Sequence, residues 1–317
     1  MDVTLLSRRC AAVALAAALF FSAVPTSTSE TGPDNHRQKP ICAFEFLTFR
    51  SSDEHKTFLE VFAQVPTHNL QFIKGQNGFF ASYQLTVELE SPEGDVIESE
   101  TFVDSVKVGT FWDIEQPRPP KLVRFAFLVP PGSYKARMQI KDLETLRAIS
   151  FTRRLDVPNY YVDTLAVSDL QIAVQIASTE RRNVLVKNSK LILPNIPRIV
   201  GNGISELHVY AEIYNLSQGT EGRNEFVATY EIRDLEENVV DSYTLKDVKP
   251  GDKSFITVQI PVEELNSGQY ELELRVEDLD TGAIASRSTN FLVLRPGLDA
   301  KFYSDLVVRA HGEAAAF

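Results

Sequence analysis

The stretch Gly268-Gln-Tyr-Glu-Leu-Glu-Leu-Arg-Val-Glu-Asp-Leu279 decides the fold. Tyr270, Leu272, Leu274 and Val276 alternate with Glu271, Glu273, Arg275 and Glu277. Side chains of a strand point to opposite faces in turn, so this stretch has one greasy face and one wet face. Wound as a helix, the same apolar residues would scatter around the axis. Gly132-Ser-Tyr-Lys-Ala-Arg-Met-Gln-Ile-Lys-Asp-Leu143 matches it at an offset of 136. Tyr83, Leu85, Val87 and Leu89 keep the same period of two, as do Phe125, Phe127 and Val129.

Turn chemistry separates these runs. Ser91-Pro-Glu-Gly94, Pro130-Pro-Gly-Ser133, Lys249-Pro-Gly-Asp252, Asn266-Ser-Gly268 and Asp280-Thr-Gly282 each set Pro, Gly or Asn between alternating segments. Proline pre-sets the turn angle and glycine supplies positive φ. Many short strands punctuated in this way predict antiparallel sandwiches.

Two further blocks repeat. Phe80-Ala-Ser-Tyr-Gln-Leu-Thr-Val87 matches Val227-Ala-Thr-Tyr-Glu-Ile-Arg-Asp234 at an offset of 147, and Val61-Phe-Ala-Gln-Val65 matches Val209-Tyr-Ala-Glu-Ile213 at 148. Matched blocks in one order imply a duplicated module, each copy long enough for its own core. The expected fold is all-β: two tandem immunoglobulin-like sandwiches over residues 41–158 and 159–296. Asp156-Val-Pro-Asn-Tyr-Tyr161 reads as a hinge, because Pro158 interrupts the sheet pattern. Leu191-Ile-Leu-Pro-Asn-Ile-Pro197 reads as a long structured loop. In the tail, 297–317, the residues Ala300, Tyr303, Leu306, Val307 and Ala310 share one face of a short helix.

The amino-terminal residues read as an address. Arg8 and Arg9 precede an uncharged run over residues 10–24, then Pro25 and polar residues. This is the pattern of a secretory signal, expected over residues 1–29, and the run falls short of the ~20 apolar residues a membrane span needs. An uncleaved anchor is the alternative. Residues 30–40 read as a flexible leader. With the signal removed, Cys42 is the one cysteine; its neighbours Ile41, Ala43 and Phe44 suggest a small buried hydrophobe. The expected location is the periplasm or the extracellular space, with no stable membrane span after cleavage.

Composition narrows the chemistry. With 43 acidic against 32 basic residues the formal charge is −11, which disfavours nucleic-acid binding. His36, His55, His68, His208 and His311 form no ligand pair of the kind zinc needs. His208 sits between Leu207 and Val209 and is expected to face solvent. No G-x-S-x-G elbow, P-loop or G-x-G-x-x-G occurs. The acidic groups around Asp142, Asp234 and Asp278 fall on hairpin turns, where such side chains bond backbone amides. Arg153-Arg154 and Arg181-Arg182 read as solvated strand edges. No catalytic residue, metal ligand or cofactor is therefore assigned.

Aromatics give the candidate binding residues. Trp112, the one tryptophan, lies in the proline-rich stretch Thr110-Phe-Trp-Asp-Ile-Glu-Gln-Pro-Arg-Pro-Pro120; Tyr160 and Tyr161 lie at the hinge. Aromatic anchors near domain junctions commonly serve recognition. The structural alternative has Trp112 capping the first sandwich and the two tyrosines filling the contact between domains.

Leu165-Ala-Val-Ser-Asp-Leu-Gln-Ile-Ala173, Leu193-Pro-Asn-Ile-Pro-Arg198 and Leu207-His-Val-Tyr-Ala-Glu-Ile-Tyr-Asn-Leu216 resemble the middle of bacterial GWxTD-domain proteins, and Phe46–Phe72 followed by Phe79–Val96 is similar to their amino-terminal β-region. The Gly-Trp-x-Thr-Asp segment that names the family does not occur in the sequence. The resemblance implies an exported bacterial protein built of β-sandwich domains and brings no functional residues with it. The expected function is a non-catalytic interaction or scaffold protein of the cell envelope that binds a protein partner. The alternative is a carbohydrate- or peptide-binding module serving a separately encoded enzyme.

Overall fold

A computed structural model describes residues 40–201, 203–217 and 225–295. The expected signal, most of the leader and the expected terminal helix lie outside the described residues. What is described is all-β, apart from two single-turn 3₁₀ helices at Thr67–Asn69 and Trp112–Ile114.

The first sandwich contains β1 (Ala43–Arg50), β2 (Thr57–Val65), β3 (Ile73–Gly75), β4 (Gly78–Glu90), β5 (Val96–Val108), β6 (Lys121–Val129), β7 (Gly132–Asp142) and β8 (Ala148–Val157). One sheet runs β1-β2-β6. In the other, β4 pairs with β5 along one edge and with β3 and β7 along the opposite edge, and β8 follows β7. The second sandwich contains β9 (Ala166–Val167), β10 (Gln171–Ser178), β11 (Val186–Lys187), β12 (Lys190–Pro194), β13 (Ile199–Gly201), β14 (Glu206–Tyr214), β15 (Glu225–Arg233), β16 (Val239–Val248), β17 (Lys253–Pro261), β18 (Gly268–Asp278) and β19 (Ile284–Leu294). Here β14 lies between β17 on one side and β9 and β10 on the other, facing a sheet ordered β16-β15-β18-β19. The three-plus-four arrangement is the same in both copies and is that of an immunoglobulin-like sandwich.

Each copy closes over its own core. Leu59, Val61, Ala63 and Val65 face Tyr83, Leu85, Val87 and Leu89 in the first; Leu207, Val209, Ala211 and Ile213 belong with Tyr230, Leu272 and Leu274 in the second. Both copies carry a tyrosine corner, the hydroxyl reaching back four residues: Tyr134 donates to the Pro130 carbonyl at 2.7 Å and Tyr270 to that of Asn266 at 3.0 Å. Both also carry a buried aspartate that ties two loops. Asp142 accepts the N–H groups of Gln71, Glu144 and Thr145; Asp278 accepts those of Ser217, Asp280 and Thr281.

Strand pairing corrects one part of the repeat. Thr86 meets Thr101, and Thr229 meets Thr244, hydroxyl to hydroxyl. The carbonyl of Ser82 accepts Leu143 N–H where that of Glu225 accepts Leu279 N–H. These equivalences place β4 and β5 on β15 and β16 at an offset of 143, not 147. The slip of four residues is even, so every side chain keeps its face.

Other expectations change too. Residues 191–197, read as loop, contain most of β12, which pairs with β10 through Ala173 and Pro194. Pro194 is tolerated because it ends the strand. His208 does not face solvent: it shares the outer face of β14 with buried Tyr210 and is only 9% exposed. Cys42, by contrast, is buried as its neighbours suggest, and burial drives its thiol pKa far up. Arg153 is half-buried with its guanidinium over the Phe46 ring, whereas Arg154 stays in water.

Candidate interaction site

Trp112 stands at the end of the first sandwich, in the connection from β5 to β6. The local sequence makes a rigid tip. Thr110 N–H donates to Asp113 Oδ2 at 2.7 Å, and Asp113 N–H to Thr110 Oγ1 at 3.4 Å, a reciprocal box around the 3₁₀ turn. The Thr110 bonds hold the Asp113 carboxyl below its ordinary pKa. Ile114 packs onto the first core, and Arg118 crosses back to donate to the carbonyls of Asp113 and Ile114 while stacking on Phe72. Gly78 lies under the base of the tip at φ +118°, where a Cβ would meet the Val108 carbonyl oxygen at 2.2 Å.

On this base the aromatics form a relay. Phe111 meets Phe79 edge-on at 6.0 Å and Trp112 meets Phe111 edge-on at 6.3 Å. Trp112 is 76% exposed and Phe111 57%. The indole does not cap the sandwich, which corrects the structural alternative: Ile114 and Phe79 cover the core there, and the turn carries Trp112 past them into water.

Tyr160 and Tyr161 lie elsewhere. Tyr160 is 3% exposed; its hydroxyl bonds Thr48 Oγ1 at 2.8 Å and donates to the Thr48 carbonyl, and its ring meets Tyr214 edge-on at 5.0 Å. Burial and the nearby Asp169 carboxylate raise its pKa well above the usual phenol value. Tyr161 is half-buried and donates to the Ser51 carbonyl at 2.6 Å. Thr57 also donates to the Pro158 carbonyl, and Asn215 to that of Tyr160. The segment expected to be a hinge is thus tied to both sandwiches. Its tyrosines fill the contact between them, and Tyr160 offers no free surface to a partner.

That contact is extensive. Ala43, Leu47, Phe49 and Phe62 on the outer face of β1 and β2 form a third apolar cluster with Ala173, Ile192, Ile196 and Tyr210 of the second copy. Charges thread it. Glu60, fully buried, bonds Arg124 Nε at 2.7 Å and pairs with Lys187, whose ammonium sits 3.6 Å from the Phe49 ring centroid. Desolvation lowers the Lys187 pKa against the pull of Glu60. Arg198 pairs with Glu45, and Arg287 with Asp169, which also accepts both donors of Thr48. The sequence held a signal for this interface. Strands β1 and β2 are apolar on both faces, which a strand with one wet face is not.

The turn carboxylates are used locally. Asp234 Oδ1 accepts the N–H groups of Glu236 and Asn238, as Asp142 and Asp278 do in their turns. Among the described residues no group of three His, Cys, Asp or Glu is placed to hold a metal ion. No described helix is long and apolar enough to cross a membrane.

No protein-family model and no curated protein sequence matches the chain. Among solved structures it is similar to the fibronectin(III)-like modules of Clostridium thermocellum CbhA. The identity is 12%, over 76% of this chain and 88% of that one, with a TM-score of 0.21. A likeness at that score carries no functional information.

Proposed function

We propose that this chain is a non-catalytic, exported interaction or scaffold protein of the bacterial cell envelope, and that the Phe111–Trp112 tip is its contact with a protein partner. The observation behind the proposal is the tip itself: two large aromatics held in water by a turn that Thr110, Asp113, Ile114 and Arg118 fasten to its base. An indole left that exposed loses apolar burial, about 25 cal/mol for each Å² of apolar surface. A rigid aromatic anchor recovers this in a partner's pocket at little cost in conformational entropy. The use of the turn carboxylates by backbone amides supports a binding role over hydrolysis. Export follows from the reading of residues 1–29, and kinship with GWxTD-domain proteins from the residues quoted above; both belong to the proposal.

Trp112 is the one tryptophan, so its fluorescence reports on the tip alone. A partner co-purified from envelope extract should shift that emission to the blue on titration. Trp112→Ala should lose the partner with an unchanged thermal midpoint. Equal recovery with the variant would sink the proposal. Retention on a glycan array that the same variant abolishes would replace the protein partner with a carbohydrate.

A further inference from the structure

Among the described residues the second sandwich has an edge strand that the tip does not use. Among the described strands β16 pairs only with β15, and every β16 residue except Leu245 is exposed. The register sets Asp241, Tyr243, Leu245 and Asp247 opposite Ile232, Tyr230, Ala228 and Phe226, all core residues. These four β16 side chains therefore lie on the sheet face turned toward β17. A cavity of about 450 Å³ opens there, lined by Tyr243 and Leu245 on one side and by Ile176, Thr257, Val258 and Gln259 on the other. Its one ionised lining group, the Lys190 ammonium, already donates to Ser178 Oγ at 2.9 Å.

The strand ends differ from its middle. Asp241 Oδ1 accepts Ser242 N–H and Asp247 Oδ1 accepts Val248 N–H, each at 2.8 Å. Between these two capped points, residues 243–246 remain with no strand beside them among the described residues. Along one face the edge thus presents acid, aromatic, aliphatic and acid at alternate positions.

We propose that β16 receives an extended segment of another protein as an added antiparallel strand, with the alternating pattern basic-x-apolar-x-apolar-x-basic. Backbone pairing along residues 243–246 supplies affinity, and side chains at alternate positions supply choice, as in other β-augmentation sites. Two basic residues meet Asp241 and Asp247, and the apolar side chains between them lie beside Tyr243 and Leu245. Charge argues for this occupant against a second copy of the chain. Antiparallel self-pairing about Thr244 would set Asp241 against Asp247 at both ends, and like charges directly opposite destabilise a strand pair. The formal charge of −11 adds to that repulsion and favours a basic partner. The first sandwich shows what is particular to β16. Its equivalent edge, β5, has Glu98, Glu100, Phe102 and Asp104 at these positions, with an acid where β16 has Tyr243.

The test uses two fluorescein-labelled, end-blocked peptides, Lys-Thr-Val-Thr-Val-Thr-Lys and its Glu-flanked counterpart, titrated with the full chain at low ionic strength. The Lys-flanked peptide should bind saturably. Asp241→Lys with Asp247→Lys should weaken it about tenfold or more and transfer preference to the Glu-flanked peptide, a gain that also shows the variant is folded. Tyr243→Ala should weaken both pairings, and Trp112→Ala should change neither, which separates this site from the tip. No binding of the Lys-flanked peptide, or equal binding to wild type and the charge-reversed chain, would overturn the proposal. So would a dimer in sedimentation that Tyr243→Ala dissolves, since the edge would then belong to a second copy.

Discussion

Lys249→Val would give the second sandwich the solution used by the first. The Lys249 and Asp278 side chains are 0% and 1% exposed, with Nζ 2.5 Å from Oδ1. At the 143-residue offset the first sandwich has Val106 in the lysine position, itself buried, and the described donors to Asp142 are backbone amides. Removing one partner of a buried ion pair costs about 3–5 kcal/mol. Asp278 would keep the N–H groups of Ser217 and Asp280, so the low end, about 3 kcal/mol, is expected. For a chain of this size, at about 2.1 cal/mol/K of unfolding entropy per residue, that lowers the thermal midpoint by roughly 4–6 °C. A pH signature accompanies the loss. Burial opposes ionisation of Asp278, but Lys249 and the surrounding amides prevail and bring its pKa down to about 2, from 3.8. A folded value below the unfolded one stabilises above pH 4, and this contribution disappears as pH falls through 2. The difference is worth roughly 2.5 kcal/mol. Calorimetry of wild type and variant from pH 7 to pH 2 should show the variant less stable at neutrality and losing its carboxylate contribution at higher pH. A midpoint within 2 °C of wild type, with an unchanged acid limb, would refute the reasoning. It would mean that the backbone amides suffice to hold Asp278.

Two shorter predictions concern the domain contact and the tip. Burial raises the Glu45 pKa to about 7 against the pull of Arg198, so the sign is opposite to that of Asp278. Its contribution is full below the unfolded value of 4.5 and declines as pH rises toward 7, by an amount on the order of 3 kcal/mol. Glu45→Gln should remove that decline from the thermal midpoint between pH 5 and 7; an identical slope in both proteins would contradict it. Gly78→Ala places a Cβ 2.2 Å from the Val108 carbonyl at a φ that L-residues avoid. It should cost about 1–3 kcal/mol and alter acrylamide quenching of Trp112, whose turn starts two residues after Val108. Unchanged melting and quenching together would show that the tip does not rest on Gly78.

The fold was legible because burial on one face writes a period of two into the sequence, and segments such as Tyr270–Val276 carry it without interruption. The same period hid the slip between β4 and β15. Offsets of 147 and 143 keep every residue on its face, and only cross-strand partners such as Thr86 with Thr101 separate them. Trp112 could be picked out as an anchor, but its exposure depends on the path of the turn, which the capping pair Thr110 and Asp113 sets only once folded. In the sequence Lys249 opens a Lys-Pro-Gly-Asp turn. Nothing local says that its ammonium points inward to Asp278, because that pairing joins segments 29 residues apart. The surroundings of His208 and Tyr160 are hidden from the sequence for a related reason, and only the fold decides between the binding and the packing readings of Tyr160. Each is covered by groups from distant segments: the apolar layer shared by the two copies lies against the His208 face, and Thr48 against Tyr160.

The cluster of Leu47, Phe49, Phe62 and Tyr210 joins the two sandwiches through one shared apolar layer. Whatever docks on the indole at one station and whatever lies along β16 at the other would be held at a fixed angle and separation. Neither guest could swivel without carrying its companion along. A loosely strung tandem would lend reach; this one would dictate orientation.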